Sequence, residues 1–148
     1  MPQEEEIVKA IHIISESMRE SMRRYKEDTQ HSKELFNLSI TQLHYLHVIR
    51  ERSNTTITEL AEIFGVQKST VTVTVNKLFQ CGFIEKLTSK SDLRVVHVSL
   101  TEKGKEIIEL EDQGYRQFAA YILAMLDEKE QNTFAFLLNK VTQNITRP

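Results

Sequence analysis

A single cysteine, Cys81, rules out an internal disulfide. Apolar runs are all short, which excludes a transmembrane helix. The opening stretch MPQEEEIVKA is acidic and lacks the apolar core of a secretory signal. Together these absences point to a cytoplasmic protein without membrane contact. Only four glycines are present, and none belongs to a Gly-rich phosphate loop. Neither a Ser-His-Asp order nor a cysteine pair with ligand spacing occurs, so neither enzyme machinery nor a cofactor is expected. Charge of either sign is also scarce in the balance: the net is −2, which does not announce nucleic acid. The distribution is more informative. Between residues 66 and 94, Lys68, Lys77, Lys86, Lys90 and Arg94 outnumber Glu85 and Asp92 in an otherwise acidic chain. Such a patch suits contact with phosphates.

The 148 residues suit one domain with a real core. Ile7, Ile11, Ile14, Met18, Met22 and Tyr25 recur at steps of three and four, the stripe of a long first helix. Ser39 with Gln42 is a capping box that opens a second helix, with Leu43, Leu46, Val48 and Ile49 on its buried side. Thr56 with Glu59 opens a third, ITELAEIF, which Gly65 closes.

The stretch QKSTVTVTVNKLFQCG, residues 67 to 82, alternates Thr and Val like a strand. Three features make it a helix. Val71, Val75 and Leu78 also satisfy a helical period. Gly82 stands where a terminating glycine is wanted, and a short helix with a Gly65 turn precedes it, completing a helix-turn-helix. Two strands follow, Phe83 to Leu87 and Val95 to Leu100, around the polar tip 88–94. Thr101 caps a long helix, and Asp127 with Glu130 starts a last one striped by Phe134, Leu137, Leu138, Val141 and Ile145. Cys81, beside Phe79 and Phe83 in sequence, reads as a buried, inert thiol.

The order of elements resembles the multiple antibiotic resistance regulator (MarR) family of bacterial and archaeal transcription factors. ITELAEIFGVQKSTVTVTVNKLFQCGFIEK and SDLRVVHVSLTEKGKE carry the likeness. The second holds Asp92 and Arg94 in the wing, then Leu-Thr-x-Lys-Gly at Leu100 to Gly104. The resemblance implies a mainly α fold with a small β-wing. A winged helix-turn-helix core over 39–104 would be flanked by dimerisation helices over 1–36 and 115–148. It implies a homodimer, a repressor more readily than an activator, on a palindromic operator in double-stranded DNA. Recognition helix 67–82 would read the major groove and wing 88–94 the minor groove.

At the start of that helix, Gln67, Lys68, Ser69 and Thr70 suit a phosphate or a base edge. Thr72, Val73, Asn76 and Lys77 form its outward face, where Asn76 can bond adenine bidentately and Thr or Val can meet a thymine methyl. Lys77, Lys86 and Lys90 read as phosphate contacts. Arg94 is the candidate minor-groove residue, with Asp92 orienting it or pairing within the wing. Val73, Leu87 and Leu93 stand where basic residues are common in the family, so cationic contacts are fewer here. A small-molecule effector is also implied, with Met18, Tyr25, His44 and His47 at the pocket walls. Two other readings stay open: a winged helix used only for protein contact, and a metal-responsive regulator using His44 and His47, whose spacing of three is metal-compatible.

Overall fold

A computed structural model of the chain describes residues 1–26 and 32–145, apart from the side chains of Arg24, Tyr25, Lys26, Ser32 and Phe36. The chain forms α1 (Pro2–Lys26), α2 (Ser32–Asn37), α3 (Ile40–Arg52), β1 (Thr55–Thr56), α4 (Ile57–Phe64), α5 (Lys68–Gln80), β2 (Ile84–Thr88), β3 (Val96–Leu100), α6 (Glu102–Leu123) and α7 (Glu128–Ile145). It divides into two compact units. One spans Lys26–Asp112; the other comprises Met1–Tyr25 with the chain from Gln113 onward.

The Lys26–Asp112 unit is the winged helix-turn-helix. Its core is Leu46, Ile49, Leu60, Val71, Val75, Leu78, Ile84, Val98, Ile107 and Ile108, each almost fully buried. The helix boundaries follow from local chemistry. Ser39 accepts the N–H of Gln42 while Gln42 accepts the N–H of Ser39. Thr56 and Glu59 do the same at α4. Each box satisfies two N–H groups that no helical carbonyl can reach. Tyr45 on α3 stacks flat on Phe64 of α4, centroids 4.0 Å apart. It also hydrogen-bonds Thr74 of α5; burial nonetheless pushes its hydroxyl pKa up from the usual value. One tyrosine therefore ties three helices together.

The sheet has three antiparallel strands in the order β1-β3-β2, one more than the hairpin expected. Thr55 pairs with Val98 and Thr56 with His97, while Ile84 pairs with Leu100 and Lys86 with Val98. Thr55 is fully buried, and its hydroxyl donates to Glu59 Oε2 at 3.0 Å. β1 thus anchors the first residues of α4 to the wing. Helix α2 is a second addition to the expected order, held by the buried Leu35.

The second unit holds α1 up to Tyr25, the second half of α6, and α7. Asp127 and Glu130 form the third reciprocal cap. Phe118 is buried, but the long stripes are not. Ile7, Ile11 and Ile14 on α1 and Leu137, Leu138, Val141 and Ile145 on α7 are exposed large hydrophobics.

Candidate nucleic-acid interface

Helix α5 is positioned at both ends by different means. Its N-cap, Gln67, makes no side-chain capping bond. The first turn therefore keeps backbone N–H groups that no side chain among the described residues caps, on a surface where Gln67, Lys68, Ser69 and Thr70 are all exposed. The C-terminal end is clasped. Gly82 takes φ +78°, its N–H reaches Phe79 O at 3.0 Å, and the N–H of Phe83 reaches Leu78 O at 3.0 Å. That pair of bonds is the Schellman motif, and the left-handed residue between them favours glycine.

The Leu-Thr-x-Lys-Gly sequence completes the clasp. Thr101 donates its hydroxyl to Gly82 O at 2.6 Å and its N–H to Phe83 O at 3.1 Å. The same hydroxyl oxygen accepts the N–H of Gly104, capping α6. Lys103 donates to Cys81 O at 2.9 Å and places its ammonium 4.9 Å from the Phe83 ring centroid. Gly104 must be glycine, because a Cβ there would overlap the Phe83 carbonyl oxygen. The motif therefore supplies partners for the carbonyls of the Cys81–Phe83 turn and so holds the turn that ends α5.

The buried line of α5 is Val71, Val75 and Leu78. Its outward face carries Thr72, Val73, Asn76 and Lys77, all exposed, with Val73 at 55 %. Two threonines bond back along the helix: Thr72 to Lys68 O at 2.8 Å and Thr74 to Thr70 O at 3.4 Å. Lys86 on β2 is not a free cation. It donates to Asn76 Oδ1 at 2.8 Å and lies 4.5 Å above the Phe79 ring. Spacing alone gave no signal of this link, since the partners are ten residues apart in different elements.

In the wing, Ser89 N–H reaches Val95 O at 2.8 Å and Val95 N–H reaches Asp92 O at 3.0 Å. Asp92 Oδ1 accepts the backbone N–H of Arg94 at 3.0 Å, an Asx turn that shapes the tip. The side chains of Lys68, Lys77, Lys90 and Arg94 are exposed and make no hydrogen bond or ion pair among the described residues. Leu87 and Leu93 project beside them, 70 % and 79 % exposed.

The remaining sequence candidates fall in both units. Met18 is half-buried in the α1 unit. The Tyr25 side chain lies outside the described residues. His44 sets its ring edge-on to Phe64, centroids 5.0 Å apart. His47 Nε2 lies 2.6 Å from Glu111 Oε2, and its Nδ1 lies 3.2 Å from Arg50 Nη2. Arg50 in turn donates to Asp112 at 2.7 Å. Among the described residues no group of three or more His, Cys, Asp or Glu is arranged to hold a metal ion. Cys81 is exposed, not buried as its sequence neighbours suggest. Gly82 turns the chain directly after it, so Phe83 enters the core while the thiol stays outside.

Comparison with known proteins agrees with this geometry. The MarR family model matches residues 38–96. YybA of Bacillus subtilis (strain 168), an uncharacterized HTH-type transcriptional regulator, is 30 % identical over 116 residues, covering 77 % of each chain. The HTH-type transcriptional repressor MdtR of the same organism is 26 % identical over 130 residues, covering 88 % of this chain and 84 % of its own. Streptococcus pneumoniae FabT, solved in complex with DNA, shares the fold with a TM-score of 0.72 at 24 % identity, covering 97 % of this chain and 96 % of its own. Family model, relative and fold coincide on the helix-turn-helix and wing described above, and the chain belongs to the MarR family of transcriptional regulators.

Proposed function

We propose that the chain is a homodimeric, sequence-specific DNA-binding repressor. α5 enters the major groove, and the β2–β3 wing reaches the flanking minor groove. The observation that carries this reading is the outward surface of α5 and the wing tip. Its polar side chains are exposed, and Lys68, Lys77, Lys90 and Arg94 have no partner within the described chain. A surface made for a protein partner alone has no need of four uncompensated cations beside an uncapped helix N-terminus. FabT's structure with DNA and MdtR's description as a repressor support the reading.

Dimerisation is supported by the apolar stripes that α1 and α7 leave exposed. Two α5 helices related by a twofold axis read a palindrome with half-sites about one helical turn apart. A small effector rests on the family resemblance alone.

The test is selection of bound sequences from a random duplex pool, followed by the double variant Lys68→Glu/Arg94→Glu on the selected operator. The expected result is a palindromic site, loss of binding in the double variant, and an unchanged dimer by sedimentation. A chain that selects no sequence, or a double variant that binds as well as the original, overturns the reading. A monomer at micromolar concentration overturns the dimer.

A further inference from the structure

Asn76, on the outward face of α5, carries both a hydrogen-bond donor and an acceptor in its amide. A free asparagine amide is suited to adenine, accepting from N6 and donating to N7. Here the amide is not free. The Lys86 ammonium lies 2.8 Å from it. An ammonium is a donor only, so the amide atom facing it is the oxygen. Lys86 is itself held from below by the Phe79 ring, 4.5 Å from centroid to Nζ. One lone pair of the amide oxygen is thereby taken and its neighbourhood made cationic, while Nδ2 keeps two N–H donors.

We propose that Lys86 is a specificity-positioning residue, setting Asn76 to read an acceptor edge in place of adenine. This inference rests on the DNA-binding reading above. An adenine N6 amino group brought to the Asn76 oxygen would meet the Lys86 ammonium, donor against donor. Guanine presents N7 and O6, two acceptors, to the same amide nitrogen. Asn76 therefore favours guanine over adenine at one position of each half-site.

The neighbouring Thr72 fits the same pattern, one helical turn away on the same face. Its hydroxyl hydrogen is committed to Lys68 O. It offers a methyl group and lone pairs, and the donors on this ridge belong to Asn76. Lys86 thus acts through Asn76 and not as one of the phosphate contacts.

The experiment uses the full chain with the selected operator and its single-base variants, comparing the original with Lys86→Met, Lys86→Arg, Asn76→Ala and Lys86→Met/Asn76→Ala. Asn76→Ala identifies the position read, as the one where discrimination is lost. There the original should prefer guanine to adenine by about tenfold. Lys86→Met, which keeps the alkyl stem on Phe79, should shrink that preference to about twofold at this position and no other. Lys86→Arg should retain it. On the Asn76→Ala background Lys86→Met should leave the base preference unchanged.

An adenine preference in the original chain overturns the proposal. So does a Lys86→Met loss that is equal on every variant with a salt slope reduced by about one, the signature of a phosphate contact. If the original chain itself selects no sequence, the DNA-binding reading fails first, and the proposal with it. Unchanged thermal midpoints across the set separate lost readout from lost folding.

Discussion

Replacing Gly104 by alanine tests how α6 holds the recognition helix. The added Cβ overlaps the carbonyl oxygen of Phe83, with Phe83 C at 3.1 Å and Leu100 Cδ2 at 3.3 Å as further neighbours. The obstructing atom is backbone, so no rotamer change relieves it. Either α6 retreats or the Gly82–Phe83 turn moves, and both routes stretch the bonds of Thr101 to Gly82 O and Phe83 O. Overpacking of this kind costs roughly 1–3 kcal/mol. Weakening two hydrogen bonds costs about 1 kcal/mol each. Alanine's better helix propensity returns about 1 kcal/mol.

The net loss is therefore about 3 kcal/mol, which lowers the thermal midpoint of a chain this size by roughly 6–12 °C. The assay is circular dichroism melting at fixed protein concentration, because association would make the midpoint depend on concentration. Gly114→Ala in the same helix is the control. Its Cβ meets Met22 Cε at 3.2 Å, the far end of a flexible side chain. It should stay within about 1 kcal/mol of the original. Equal midpoints for the two variants would refute the claim that Gly104 is needed for close approach to Phe83.

Thr56→Ala removes the α4 cap and should cost about 1 kcal/mol, read from urea midpoints at unchanged slope. Glu59 links that cap to pH: the Thr56 N–H, and then the Thr55 hydroxyl, hold its carboxyl below the usual 4.5. Its folded pKa is thus depressed, so the stabilisation is present above the unfolded value and lost as pH falls through the folded one. The advantage of the original chain over Glu59→Gln should be present at pH 7, begin to fall near the 4.5 of an unperturbed carboxyl and vanish only below the lowered folded value; an advantage independent of pH would count against it. Tyr45→Phe keeps the Phe64 stack but drops the Thr74 bond, and should cost about 1 kcal/mol by the same measurement. Operator affinity should fall with salt on a slope of about −5, from three lysines per protomer in a dimer, and a nearly flat dependence would exclude phosphate contact by Lys68, Lys77 and Lys90.

What the sequence made legible was set by local chemistry. All three capping boxes close in both directions because their partners are three residues apart. Gly82 marks the end of α5 because the turn needs a left-handed residue there. The features that escaped depend on distant partners. β1 is two residues long and exists only because β3 offers it an edge. Cys81 sits three residues after buried Leu78, the spacing of a continued helix face, but the chain reverses at Gly82 and leaves the thiol outside. The Asn76–Lys86 link joins a helix to a strand, and no periodicity encodes it.

The Thr-Val alternation of α5 is explained by what each residue does once the helix forms. Valine at 71 and 75 is buried, four residues apart, while Val73 between them points out. β-branched side chains are stiff, so on a helix each presents a fixed methyl surface. The threonine hydroxyls at 72 and 74 turn inward to helix carbonyls, a bond that satisfies the polar atom locally. An outward face built this way presents methyls and few mobile donors. Its donors are then concentrated at Asn76 and its charges at Lys68, Lys77 and the wing. On the proposed DNA-binding reading, affinity and base choice would be separated along one surface: the cations would attract any duplex, while a rigid ridge of Thr72, Val73 and a tethered Asn76 would distinguish one base from another. On the same reading, valine in place of arginine at 73, which from charge alone would weaken binding, would leave room for that ridge to meet base edges directly.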